Sequence, residues 1–236
     1  MHVSKVEAVI LQHSSELLVV TLARIQSGKD IEARGRIRSI VETLRSAPGL
    51  ISTRMYSGQS NGLFYLLFTT WDDEESWLKA QERHTPRQLL SVHMKDLLMV
   101  PPEQWLMYYL WGYSKPTQPP QFAAVQLMGV TPQRIQQVQQ TWLTGLQQPE
   151  LQSLLTFAFF ARGINDTPTA TRITTTSPST SYRELFSQRS SLLLCFFSWS
   201  DEIEREDFYA QRIYQNLKKS TEKEGTIMLL PLENQQ

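Results

Sequence analysis

The chain opens its ordered pattern with LLVVTLARI at 17–25, an apolar run rich in β-branched residues that stops at Ser27-Gly28 and so reads as a strand and a turn. Ile37, Ile40, Val41 and Leu44 then recur at three- and four-residue steps among Arg and Glu, which predicts an amphipathic helix ending at Ala47-Pro48-Gly49. LISTRMYS is a second strand, and the glycines at 58 and 62 turn the chain into a third, LFYLLFTTW. Asp72 or Asp73 caps the next helix, and Thr85-Pro86 interrupts it, with proline suited to the first position of a restarted segment. Leu90, His93, Met94 and Leu97 are expected on one helical face. After Pro101-Pro102 comes a last strand, QWLMYYLWGY, completing the order β-α-β-β-α-β.

The second half repeats that order. QFAAVQLMGV leads to Thr131-Pro132, read as a cap with proline at the first helical position, and to a helix with Ile135, Val138, Trp142 and Leu146 as its buried stripe. LLTFAFFA and SLLLCFFSW are paired strands, a helix with Ile203, Ala210, Ile213 and Leu217 on one face follows, and TIMLLPLE closes the copy. The landmark common to both halves is a strand that ends in tryptophan before an acidic helix start, at Trp71 and Trp199. Measured from Gly28 and Pro132, these tryptophans are out of step by about 24 residues, which places an insertion at 162–190, rich in Ser, Thr and Pro. It reads as a mobile surface loop or as a lid. The expected organisation is an extension at 1–16, a first unit at 17–115, a linker at 116–120 and a second unit at 121–236.

A β-α-β-β-α-β unit sets both helices on one face of a four-stranded antiparallel sheet. An open second face would make the strands alternate in polarity. LFYLLF, LLTFAFF and LLLCFF do not alternate, so both faces are expected to be covered. The predicted fold class is therefore α+β: two ferredoxin-like repeats with antiparallel sheets packed into an α+β barrel within one chain, a pseudo-dimer.

Composition narrows the function classes. Lys plus Arg and Asp plus Glu each number 23, so no net field draws the chain to nucleic acid or an anionic membrane. No apolar run approaches the ~18 residues of a membrane-spanning helix. The single cysteine, Cys195, sits in LLLCFF and reads as a buried, inert thiol, so no disulfide framework exists. A cytoplasmic protein is expected. The four histidines, His2, His13, His84 and His93, all precede residue 94, and none forms a metal-ligand spacing with another, so no metal site is expected.

The strand ending before Gly28-Lys29, Ala47-Pro48-Gly49-Leu50, Trp71 with its acidic followers and Arg87-Gln88-Leu89-Leu90 together resemble the antibiotic biosynthesis monooxygenase (ABM) family over residues 17–113. That resemblance implies ferredoxin-like units that usually form the barrel as homodimers. The activities it implies are cofactor-independent oxygenation of phenolic substrates, heme degradation, or no chemistry. Heme-degrading members use an Asn on the first strand and a Trp and a His on the second helix; Thr21, Ala80 and Leu90 stand at those positions here. Trp77 and His93 lie one turn to either side, too widely spaced for that pair.

The candidate catalytic residues are His93, His84 and Arg87, and the candidate ligand-binding residues are Thr21, Trp77, Tyr109 and Trp111. A histidine on an apolar helical face is either a base tuned by burial or a satisfied core residue. Trp105, Met107, Tyr109 and Trp111, at alternate positions, either line a pocket for a flat ligand or fill the core. Three readings stand open: a monooxygenase acting without a cofactor on a small hydrophobic or aromatic molecule, a non-catalytic binding protein, and a heme-binding or heme-degrading protein. A monomer is expected, with further self-association open.

Overall fold

The computed structural model describes residues 16–59, 62–81, 85–115, 119–164, 191–223 and 225–234. The extension at 1–15, His84 and the insertion from 165 to 190 lie outside them. In the first half, β1 (Leu17–Arg24), α1 (Asp30–Arg45), β2 (Leu50–Gln59), β3 (Leu63–Trp71), α2 (Glu74–Ala80), α3 (Pro86–His93) and β4 (Glu103–Ser114) follow in order. In the second, β5 (Phe122–Val130), α4 (Ile135–Leu146), the short α5 (Pro149–Gln152), β6 (Phe157–Gly163), β7 (Ser191–Trp199), α6 (Glu202–Ala210), α7 (Arg212–Glu222) and β8 (Gly225–Asn234) do the same. Two ferredoxin-like α+β repeats are thus present.

Two compact units divide the chain, and the division falls inside β4 and β8: the first holds 16–108, 163–164 and 231–234, the second 109–162 and 191–230. Strand order is β4-β1-β3-β2-β8 in the first unit and β8-β5-β7-β6-β4 in the second. Within the first sheet, β1 runs antiparallel to β3 and β4, and β2 antiparallel to β3. Both faces of its central strands are withdrawn from water, as the continuous apolar runs require. Leu17 and Val19 point one way, Leu18 and Val20 the other, and all four are fully buried.

The tryptophan landmark is a capping device. Asp73 and Asp201, each two residues beyond the strand-ending tryptophan, accept from the backbone N–H groups of Ser76 (2.7 Å) and Glu204 (2.8 Å) and start α2 and α6. That bond holds the Asp73 carboxyl below the usual carboxylate range. The hydroxyl of Thr85 accepts from Gln88 N–H (3.3 Å), with Pro86 at the first helical position.

Gly49 shows why Ala-Pro-Gly-Leu occurs where α1 meets β2. Its φ is +76°, and a Cβ there would come within 2.5 Å of the Ser76 Cβ on α2. Its carbonyl accepts from Asp72 N–H at 2.9 Å, so the glycine also fixes the end of β3. Gly49→Ala should destabilise the protein by about 1–3 kcal/mol through left-handed strain and the clash. The check is a lower urea midpoint at unchanged slope.

Three expected details are corrected. The fourth helix starts at Ile135, not at Thr131-Pro132: residues 132–134 form a turn and Arg134 caps without a side-chain bond. The last helical stretch is two helices, broken at Gln211, whose ψ of 130° is extended. The break resets the buried face, so Phe208, Tyr214, Leu217 and Thr221 are buried while Ile203 is exposed.

Candidate functional site

The helices of the first unit bury two separate apolar clusters against one face of its sheet. One gathers Leu90, Met94 and Leu97 with the α1 stripe onto Ala23, Tyr65 and Leu67. The other gathers Trp77 and Ala80 onto Leu17, Val19 and Trp71. Residues paired across antiparallel strands share a face, so the register shows what lies between the clusters. Thr21 pairs with Gln104 of β4 and with Leu67 of β3, and Thr69 pairs with Val19 and with Thr53 of β2. A diagonal row of polar residues, Gln104 and Thr21 in one register and Thr69 and Thr53 two residues along, therefore crosses the sheet between the strand residues of the two clusters.

Most of that row has unused hydrogen-bonding capacity. Thr21 is fully buried and its Oγ1 has no partner; the same holds for Gln104 Nε2 and Thr53 Oγ1. Trp77, 1% exposed, packs edge-on to Trp71 with ring centroids 5.2 Å apart, and its indole N–H is also unpartnered. By contrast, Trp71 Nε1 donates to Thr69 Oγ1 at 3.0 Å, and the Thr69 hydroxyl donates to the Val19 carbonyl at 3.4 Å. A buried polar group without a partner costs about 1–3 kcal/mol. Four such atoms lie on this side of the sheet, and a ligand whose oxygen atoms met them would recover part of that cost.

The second unit is packed differently at the equivalent place. Phe122 pairs with Trp199 as Leu17 does with Trp71, so Gln126, which pairs with Cys195, stands where Thr21 stands. Phe197 replaces Thr69 in the same register. Here one apolar cluster runs unbroken from α4 and α7 across the sheet and includes Trp142, Phe197, Trp199, Phe208 and Tyr214. The Tyr214 hydroxyl donates to Gln126 Oε1 at 2.8 Å, and Trp142 Nε1 donates to Thr221 Oγ1 at 2.7 Å. Burial, then Tyr209, Cys195 and Glu222 nearby, hold the Tyr214 hydroxyl above the usual phenol range, so it stays protonated. Gln126 Nε2 and Trp199 Nε1 remain unpartnered. Cys195 is buried in this cluster, which raises its thiol well above the ordinary range.

Thr21 and Trp77 are both buried in the first unit, Trp77 in the cluster that includes Val19, two residues before Thr21 on β1. His93 is a correction: it is exposed, not part of an apolar face. α3 ends there, and the turn that follows buries Met94 and Leu97 instead. Its backbone carbonyl accepts from Arg36, which also bonds Asp96 and so ties α1 to the end of α3. Arg87 is half-buried at the start of α3. Tyr109 and Trp111 belong to the second unit, and of the two it is Trp111 that leaves the expected stripe. Tyr109 meets Phe159 edge-on at 5.4 Å, while Leu110 and Trp111, consecutive residues, both pack into the helix-side cluster. The alternation of β4 breaks there. Ala80 and Leu90, at the heme-degrading Trp and His positions, are buried in apolar clusters, so neither position carries the side chain that the heme-degrading site uses.

Gln104, Thr69 and Thr53 were not among the expected site residues. The signal available for Gln104 was its place as a polar residue beginning an aromatic strand; the row itself is visible only through register. Among the described residues, no helix is long and apolar enough to cross a membrane.

Residues 17–86 match the model of the family Antibiotic biosynthesis monooxygenase. No curated protein sequence matches the chain. In fold, the chain is similar to the crystal structure of an anthrone oxidase-like protein, with a TM-score of 0.70 at 12% identity over 96% of this chain and 94% of that one. It is also similar to a proposed monooxygenase from Fusobacterium nucleatum, with a TM-score of 0.64 at 9% identity over 95% and 94%. A proposed monooxygenase from Lactobacillus acidophilus gives 0.56 at 9% identity over 92% of each chain. At these identities the likeness is one of fold.

Proposed function

We propose that this chain, whose first unit is an antibiotic biosynthesis monooxygenase-like domain, binds a flat aromatic enol or phenol on the helix side of that unit's sheet and oxidises it with dioxygen, without a cofactor. The observation that carries the reading is three unpartnered donors on the helix side of that sheet, Thr21 Oγ1 and Gln104 Nε2 in the polar row and Trp77 Nε1 in the apolar cluster beside it. All three can donate, and the row itself contains no carboxylate, so it suits an oxygen that carries developing negative charge. The surrounding Leu, Val and Trp side chains suit the apolar rings.

The chemistry needs little from the protein beyond this. The substrate gives up its proton to water and becomes an enolate whose oxygen the three donors hold. The carbon para to that oxygen passes one electron to dioxygen, and the radical pair combines into a peroxide anion, which takes a proton back from water. Loss of water from that carbon then leaves a carbonyl. For anthrone, one dioxygen is consumed and anthraquinone and one water are formed.

The second reading, a binding protein without chemistry, is favoured by one observation: His93, the expected base, is exposed. Anthrone mixed with the protein in an oxygen electrode separates the two. Oxygen uptake matching anthraquinone formation, above the protein-free rate, supports the oxidase. Binding with no added uptake supports the second reading, and no binding sinks both.

A further inference from the structure

The unpartnered donors of the first unit are closed off in the folded chain. Thr21 is fully buried, Trp77 is 1% exposed and Gln104 9%, so a solute reaches them only when an element covering them moves. Three helices pack on that side of the sheet, and they are fastened unequally. α1 buries five side chains, and α2 is held by Trp77, whose ring meets Trp71 edge-on. α3 has eight residues, of which Pro86 and Leu90 are buried and Leu89 partly so. Leu90 belongs to the cluster that contains Leu67, the register partner of Thr21, and Ala23, two residues further along β1. Lifting α3 therefore bares the strand positions beside Thr21.

The end of α3 has the parts of a hinge. The turn that follows it is pinned beside the end of β1: Gln26 N–H donates to the Leu97 carbonyl at 2.9 Å, Met99 N–H to the Arg24 carbonyl at 2.9 Å, and Gln26 Nε2 to the Leu98 carbonyl at 3.1 Å. Met94 and Leu97 are fully buried there. Arg36 of α1 spans the joint. Its guanidinium bonds the Asp96 carboxylate through both terminal nitrogens, at 2.6 and 3.1 Å, and donates to the His93 carbonyl at 2.9 Å. His93 is the last residue of α3 and Asp96 lies in the pinned turn, so one side chain fixes the angle between them.

We propose that α3 is an arm that lifts from the sheet about the turn at 94–98, and that Arg36 is the latch that holds it down. This rests on the ligand site proposed above and adds how that site is entered. A bidentate arginine–carboxylate pair that also bonds a carbonyl is the kind of surface contact with measurable strength. An eight-residue helix does not persist away from its packing, so its amide hydrogens exchange with solvent whenever the arm lifts.

Hydrogen exchange followed by NMR, with no ligand present, tests the device. In the wild type the amides of residues 89–93 should exchange at least about ten-fold faster than those of 18–22 in β1. Arg36→Gln should speed the α3 amides by about ten-fold more, while Leu97, Met99 and β1 keep their rates. Glu32→Gln should leave all of them unchanged, because Glu32 bonds Arg36 from within α1. Amides of α3 that exchange only together with β1, or an Arg36→Gln effect spread evenly over the chain, would overturn the proposal. Anthrone association followed by stopped flow should quicken in Arg36→Gln by the factor seen in exchange, and an unchanged rate overturns the latch as a control of entry. A chain whose α3 opens as described but which neither binds nor oxidises anthrone defeats the functional reading alone. Anthrone oxidation by a chain whose α3 opens only on global unfolding defeats this inference alone.

Discussion

Thr21→Val is expected to make the protein more stable and the proposed oxidation much slower. The hydroxyl of Thr21 is fully buried with no partner, so the folded state bears a desolvation cost of about 1–3 kcal/mol that a methyl group of nearly the same shape does not. Valine also suits the middle of a strand. Allowing for some loss in packing, stability should rise by about 1 kcal/mol, which for a chain of this size moves Tm up by roughly 2–4 °C. Losing one donor to a developing oxyanion should lower the rate of anthrone oxidation by about 10²-fold. The opposite signs are what make the test specific. A threonine that only packs the core would leave the rate alone, and one with a hidden partner would lose stability. Urea unfolding monitored beside oxygen uptake reads both.

That pairing of signs reflects what could and could not be read along the chain. Local patterns carried the elements well: the Asp caps after Trp71 and Trp199 and the Thr85-Pro86 restart depend on residues within one turn of each other. Periodicity failed where a helix stops without an obvious breaker. His93 lies three residues beyond Leu90, and Met94 and Leu97 continue the apolar spacing, yet α3 ends at His93 and a turn supplies the later contacts. The break at Gln211 was equally hidden, because its neighbours Ala210 and Arg212 both favour helix. The polar row was beyond local reading for another reason. Thr21, Thr53, Thr69 and Gln104 are unremarkable singly, and only strand register, which depends on pairing between distant segments, aligns them.

The landmark tryptophans should separate stability from activity. Trp71 and Trp199 are both fully buried, and replacing either by alanine leaves a cavity that should cost about 3–5 kcal/mol. Their surroundings differ. Trp199 sits among Phe208 and Tyr209 at 5.5 and 5.4 Å, with its indole N–H unpartnered. Trp71 packs against Trp77 and bonds Thr69, so phenylalanine there also forfeits a hydrogen bond, about 1 kcal/mol more than at Trp199. Removing Trp71 deprives the Thr69 oxygen of its donor and takes away the ring packed against Trp77, so oxidation should fall in the fraction that remains folded. Trp199→Ala removes nothing from the polar row, and its folded fraction should keep the wild-type rate. Activity measured against the folded population at increasing urea tests this. If Trp199→Ala abolishes oxidation while the chain is still folded, the site does not belong to the first unit alone, and the division of labour between two similar units is not the one their packing implies.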